Sequence, residues 1–121
     1  MMTRTLLAAA ASLLAAYASA SYGQATVKDG VFANSAGMTL YTYHKDSGGK
    51  SVCNGPCATN WPPLMAAASD KASGNWSVVT RDDGSKQWAY KGKPLYLWIK
   101  DRKPGDKTGD GVGGNWALAK P

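Results

Sequence analysis

The chain has no glutamate: all eight acidic side chains among its 121 residues are aspartates. Glutamate favours helices, whereas aspartate and glycine favour turns, and 14 glycines add to the same bias. There is a single histidine, His44, with no serine or acid at a telling spacing, so no nucleophilic triad can be drawn. Nothing in the spacing of the aspartates singles out an acid–base pair. Cysteine is nearly absent too. Cys53 and Cys57 have three residues between them, which is neither the C-x-x-C of thioredoxin-like enzymes nor the C-x-x-C-H of haem attachment. Gly109, Gly111, Gly113 and Gly114 follow no phosphate-loop or dinucleotide pattern. Asp106 to Gly111 has the look of a calcium loop, but the twelfth position, where a bidentate acid is required, is Ala117. The expectation is a protein without a catalytic constellation and without a cofactor.

Long apolar runs are also missing. The longest, Leu6 to Ala16, follows Arg4 and is too short to span a membrane. Ala18-Ser19-Ala20 and Gly23-Gln24-Ala25 both satisfy the small-x-small rule of signal peptidase, so residues 1–25 read as an export signal cleaved after Ala25 or Ala20. No cysteine lies near either position, leaving no residue to lipidate. Cleavage after Ala25 leaves 96 of the 121 residues, enough for one small domain. Removing Arg4 takes the 14 basic side chains to 13, and against 8 acidic ones the mature charge is +5. The lysines are scattered beside turns (Lys45, Lys50, Lys91, Lys100, Lys103, Lys107). With the export signal, this points to solubility and loose attraction to anionic surfaces, not to nucleic acid.

What the chain does contain is aromatic residues, and it contains them twice. Gly37 to Asp46 is followed 55 residues later by Gly92 to Asp101, and the same offset carries Asn60-Trp61 onto Asn115-Trp116. Seven of 25 aligned positions are identical without a gap. Self-similarity at a fixed offset marks a duplicated supersecondary unit, with repeats over about residues 27–68 and 75–121.

Turn chemistry and period-two alternation outline the strands. Asp29-Gly30 sits between Val27-Lys28 and Val31 to Ala33 and signals a hairpin. Met38 to His44 alternates, with Tyr41 and Tyr43 on one face and Leu40, Thr42 and His44 on the other. Trp76–Thr80, Lys86–Tyr90 and Leu95–Ile99 repeat the plan, the last apolar on both faces and therefore central. Pro62 and Pro63 preclude a central strand, and Leu64 to Ala68 reads as one helical turn. Ser69 to Gly74 is the linker. The fold expected is all-β: a small antiparallel domain of two meanders, about six strands around one shared core, with long Gly- and Asp-rich loops.

In each unit two aromatics share a sheet face and an aspartate stands just past the strand: Tyr41, Tyr43 and Asp46, then Tyr96, Trp98 and Asp101. The structural reading makes these rings, with Trp61 and Trp116, an aromatic core, and has each carboxylate accept backbone N–H bonds to hold its loop. The functional reading is an aromatic platform with an acidic rim. His44 corresponds to Ile99, which points it at the face lined by Leu95 and Leu97.

Four stretches carry a resemblance to a known family: Leu40 to Asp46, Cys53 to Leu64, Arg81 to Tyr96, and Lys103 to Trp116. Together they cover most of the mature chain. The chain resembles the secreted, often lipoprotein, repeat family named for its Yx(FWY)xxD motif. The resemblance implies an extracytoplasmic domain built from repeats and supplies no catalytic residues.

Two functional readings follow. In the first the chain is an exported, periplasmic or extracellular, non-enzymatic module that binds an envelope ligand or protein. Its aromatics would suit sugars, aromatic ligands or a protein partner. In the second it is a copper or redox protein using Cys53, Cys57, His44, Met38 and Met65. An oxidising compartment favours a Cys53–Cys57 disulfide over the second reading.

Overall fold

The computed structural model describes residues 25–121; the expected export signal and its cleavage position lie outside them, apart from Ala25 itself. Strands β1 (Thr26–Lys28), β2 (Val31–Ala33) and β3 (Tyr41–Tyr43) come first, then a five-residue helix, α1 (Pro56–Asn60). Strands β4 (Trp76–Thr80), β5 (Lys86–Tyr90), β6 (Lys93–Tyr96) and β7 (Trp116–Leu118) follow, with a 3-10 turn at Val112–Gly114 before the last. All pairing between these strands is antiparallel: β1 with β2, and a five-stranded sheet in the order β4-β5-β6-β3-β7. The fold is all-β and built from two similar units.

Two-residue turns set the hairpins. Asp29-Gly30 joins β1 to β2 and Lys91-Gly92 joins β5 to β6, and both residues of each turn have positive φ. That is the backbone twist a tight hairpin requires, with glycine taking the second position at no steric cost.

The halves are related by an approximate two-fold axis between β3 and β6. Tyr41 pairs directly with its own repeat counterpart, Tyr96. Hydrogen bonds outside that pair come in matched reciprocal sets. The Leu64 amide donates to Leu95 while the Ala119 amide donates to Leu40, and Ile99 donates to Asn60 while His44 donates to Asn115. Each unit therefore lends its Trp-containing return segment to the other unit's strand, and neither completes its sheet alone.

Two local expectations are corrected. Leu64 to Ala68 is not helical: Leu64 to Ala66 is extended, bridging at Met65 to Gln87, because the Leu64 amide and carbonyl are taken by Leu95 and Trp88. Tertiary pairing overrides the modest helix preference of three alanines. The helix forms instead at Pro56, whose fixed φ suits the first helical position. The core is divided in two. Alternation along β3 and β6 sends Leu40 and Leu95 to one face, where they meet Phe32, Leu64, Trp88 and Ala119. Tyr41 and Tyr96 go to the other face with Trp61, Trp116 and Cys53. Strands covered on both faces have no solvated side.

Candidate functional site

On the aromatic face four rings form one continuous pile. Tyr43 stacks on Trp116 at 4.2 Å, Trp116 on Trp61 at 3.7 Å and 4°, and Trp61 on Trp98 at 3.9 Å. Tyr41 meets Trp61 edge-on and Tyr96 meets Trp116 edge-on, the arrangement that brings a ring's positive edge to its neighbour's negative face. The pile obeys the same two-fold axis, with the two Trp of the return segments in the middle and the counterparts Tyr43 and Trp98 at the ends. Trp61, Trp116, Tyr41 and Tyr96 are buried; Tyr43 and Trp98 are half-buried. The inner rings cover one another, and only the two ends of the pile, Tyr43 and Trp98, are partly exposed.

Each motif aspartate does two things. Asp46 Oδ1 accepts the Val52 amide at 2.8 Å, and Asp101 Oδ1 accepts the Thr108 amide at 2.9 Å and the Thr108 hydroxyl at 2.6 Å, which holds the loop behind each strand. The second oxygen reaches across the axis. Tyr41 Oη donates to Asp101 Oδ2 at 2.6 Å, and Tyr96 Oη donates to Asp46 Oδ2 at 2.6 Å. The tyrosine of one unit is therefore bonded to the aspartate of the other. Burial, reinforced by the carboxylate, pushes both phenols well above their usual range. Burial also raises the Asp46 carboxyl, against the lowering by its bonds from Tyr96 and Val52.

Behind Tyr96 lies a polar chain. The Arg81 guanidinium donates to Ser51 Oγ at 2.8 Å, Gln87 Oε1 at 2.8 Å and the Cys53 carbonyl at 2.6 Å. Ser51 and Tyr96 hydroxyls are 2.6 Å apart; with Arg81 donating to Ser51, the serine proton goes to Tyr96 and the tyrosine proton to Asp46. Arg81 is only 5% exposed, so these bonds are what make its burial tolerable. Sequence reasoning missed Arg81, Ser51 and Gln87. The available signal was Gln87, a polar residue at an inward-alternating position of β5, next to Ala89 on the same face.

A family model described as a secreted repeat of unknown function matches residues 23–65 and again residues 77–120. The chain belongs to this family. No curated protein and no solved structure matches it. The two matches carry one Tyr–Asp motif each, so the secreted repeat is a unit whose tyrosine and aspartate find their partners in the other copy.

In this pair of secreted repeats Cys53 and Cys57 form a disulfide that brackets the start of α1, and Cys53 is fully buried against the aromatic pile. Both sulfurs are thereby spent, which removes the thiolates from the copper reading. Met38 lies in the β2–β3 turn and Met65 is exposed beside β5. Among the described residues no three His, Cys or Asp side chains are grouped to hold a metal. Likewise no helix among them is long and apolar enough to cross a membrane.

His44 departs from its expected place. β3 ends at Tyr43, so His44 does not face Leu95 and Leu97 but is exposed, as is its counterpart Ile99. It lines an open cleft of about 300 Å³ where β3 ends and β6 begins, together with Tyr43, Asp46, Lys93, Asn115 and Trp116. Neither methionine nor cysteine reaches that cleft.

Proposed function

We propose that this secreted-repeat protein is a non-enzymatic binding module of the cell envelope, periplasmic or extracellular, with its ligand site in the cleft at the Tyr43 end of the aromatic pile. One observation carries the reading. Tyr43 is a rigid, half-buried ring, stacked on Trp116 and lining a cleft with polar side chains around it. A ring already held in place loses little entropy on gripping a ligand, and a concave site with a few convergent polar groups is the usual form of a small-molecule site. The two motif aspartates are engaged in holding the fold: both oxygens of Asp46 and of Asp101 already accept hydrogen bonds. This favours binding over turnover.

The test is sedimentation of the purified protein with purified cell envelopes. Wild type should pellet with them, and Tyr43→Ala, which alters no charge, should stay in the supernatant. Equal pelleting of the two proteins, or none of the wild type, would overturn the proposal.

A further inference from the structure

The cleft brings together two nitrogen-bearing side chains. His44, just past the end of β3, and Lys93, at the start of β6, both line it. Both are exposed, and among the described residues neither side chain has a hydrogen-bond or ion-pair partner.

The carboxylate in the cleft does not serve them. Asp46 gives one oxygen to the Val52 amide and the other to the Tyr96 hydroxyl, and Arg81 stands behind that tyrosine through Ser51. Each of its oxygens thus already accepts a hydrogen bond from within the fold. Because the cleft lies at the strand ends, it also draws on the aromatic face of the sheet, which contributes Tyr43 and Trp116. The half-buried Tyr43 ring thus shares the cleft with two exposed nitrogen-bearing side chains that have no acceptor among the described residues.

We infer that the cleft takes an acidic saccharide, with a sugar face on Tyr43 and its carboxylate or phosphate between His44 and Lys93. A pyranose ring offers a C–H face to an aromatic ring and an equatorial rim of hydroxyls to groups such as Asn115. The acid group supplies the acceptor that the paired donors lack, and bonds to an ionised partner are about twice as strong as neutral ones. This inference rests on the binding-module reading of the same cleft.

Isothermal titration with three probes separates the possibilities: a galacturonate trisaccharide, a neutral galactose trisaccharide of equal length, and mannose phosphate. The acidic trisaccharide should bind at least about tenfold more tightly than the neutral one, and the advantage should shrink as salt is added. Mannose phosphate binding more tightly than the galacturonate would assign the acid group as phosphate; the reverse would assign a carboxylate. His44→Gln and Lys93→Gln are exposed changes that leave the sheet intact, checked by near-ultraviolet circular dichroism. Each should weaken the acidic probes about tenfold and leave the neutral one unaffected. Equal binding of acidic and neutral trisaccharides, or acidic binding indifferent to both substitutions, would overturn the acidic-ligand inference. In that case Tyr43-dependent envelope pelleting would still stand. No binding of any probe would overturn the inference as well, while the sedimentation test decides the module reading separately.

Discussion

Replacing Tyr41 with phenylalanine removes one oxygen from the interior and tests the way the two units are joined. That hydroxyl donates to Asp101 Oδ2 at 2.6 Å and accepts the Gly109 amide at 3.1 Å, all in buried surroundings. A hydrogen bond to a charged group contributes about 1.5–3 kcal/mol net, and stranding a buried amide costs about 1 kcal/mol more. The expected loss is therefore about 2.5–4 kcal/mol. With a urea m-value of about 1 kcal/mol per molar for a domain of this size, the unfolding midpoint should fall by about 2.5–4 M. Tryptophan fluorescence reports it directly, because Trp61 lies against the Tyr41 ring. The geometry makes a sharper demand on pairs of substitutions. Tyr41→Phe and Asp101→Asn should be coupled by about 1.5 kcal/mol or more, since each removes the same bond. Tyr41→Phe and Asp46→Asn, which belong to the same repeat, should simply add. Coupling within a repeat and additivity between repeats would refute the crossed arrangement, as would a Tyr41→Phe midpoint unchanged from wild type.

Alkaline pH should destabilise the fold through the same two tyrosines. Burial raises the Tyr41 and Tyr96 hydroxyls above the ordinary 10.0, so the folded state favours the neutral forms. Stability is whole below pH 10 and falls as pH rises beyond it, by about 1.4 kcal/mol per pH unit for each tyrosine. Tyrosinate absorbance should appear together with unfolding; ionisation of all four mature tyrosines in a still-folded protein would contradict the burial. Gly109→Ala should cost about 1–3 kcal/mol, because a Cβ there would lie 2.9 Å from both the Trp61 and Tyr41 rings, read as a lower thermal midpoint. Trp61→Ala, taking the sandwiched ring from between Trp98 and Trp116, should cost about 3–5 kcal/mol in urea. Trp98→Ala, at the half-exposed end of the pile, should cost clearly less; equal losses would mean that the pile is not graded from centre to ends.

The sequence was a good guide wherever a neighbour along the chain does the work. Asp29-Gly30 announces its hairpin because two positive φ values are needed and that dipeptide tolerates them. The loop-holding role of Asp46 and Asp101 is readable because the amides they accept lie only six and seven residues away. Leu64 to Ala68 misled for the opposite reason: its local composition is helical, and the strand edge that straightens it comes from residues more than 20 positions later. His44 misled because alternation was extended one residue past the real end of β3. The cleft has no linear signature, and of the Arg81 chain only Gln87 was legible, because Ser51 lies 30 residues from Arg81 and 45 from Tyr96 along the chain.

The duplicated aromatic pattern and the lone cysteine pair are properties of the chain as written, and they point to an all-β fold of two repeats. Whether a repeat would close on itself or on its partner was open, since a Tyr and an Asp five residues apart look equally ready to bond each other. Tertiary structure decided it. Laying Tyr41 opposite Tyr96 across an antiparallel pair runs the two strands in opposite directions, so the end of each strand, and the aspartate just beyond it, lies beyond the start of the other. Each phenol therefore finds the carboxylate of the other copy.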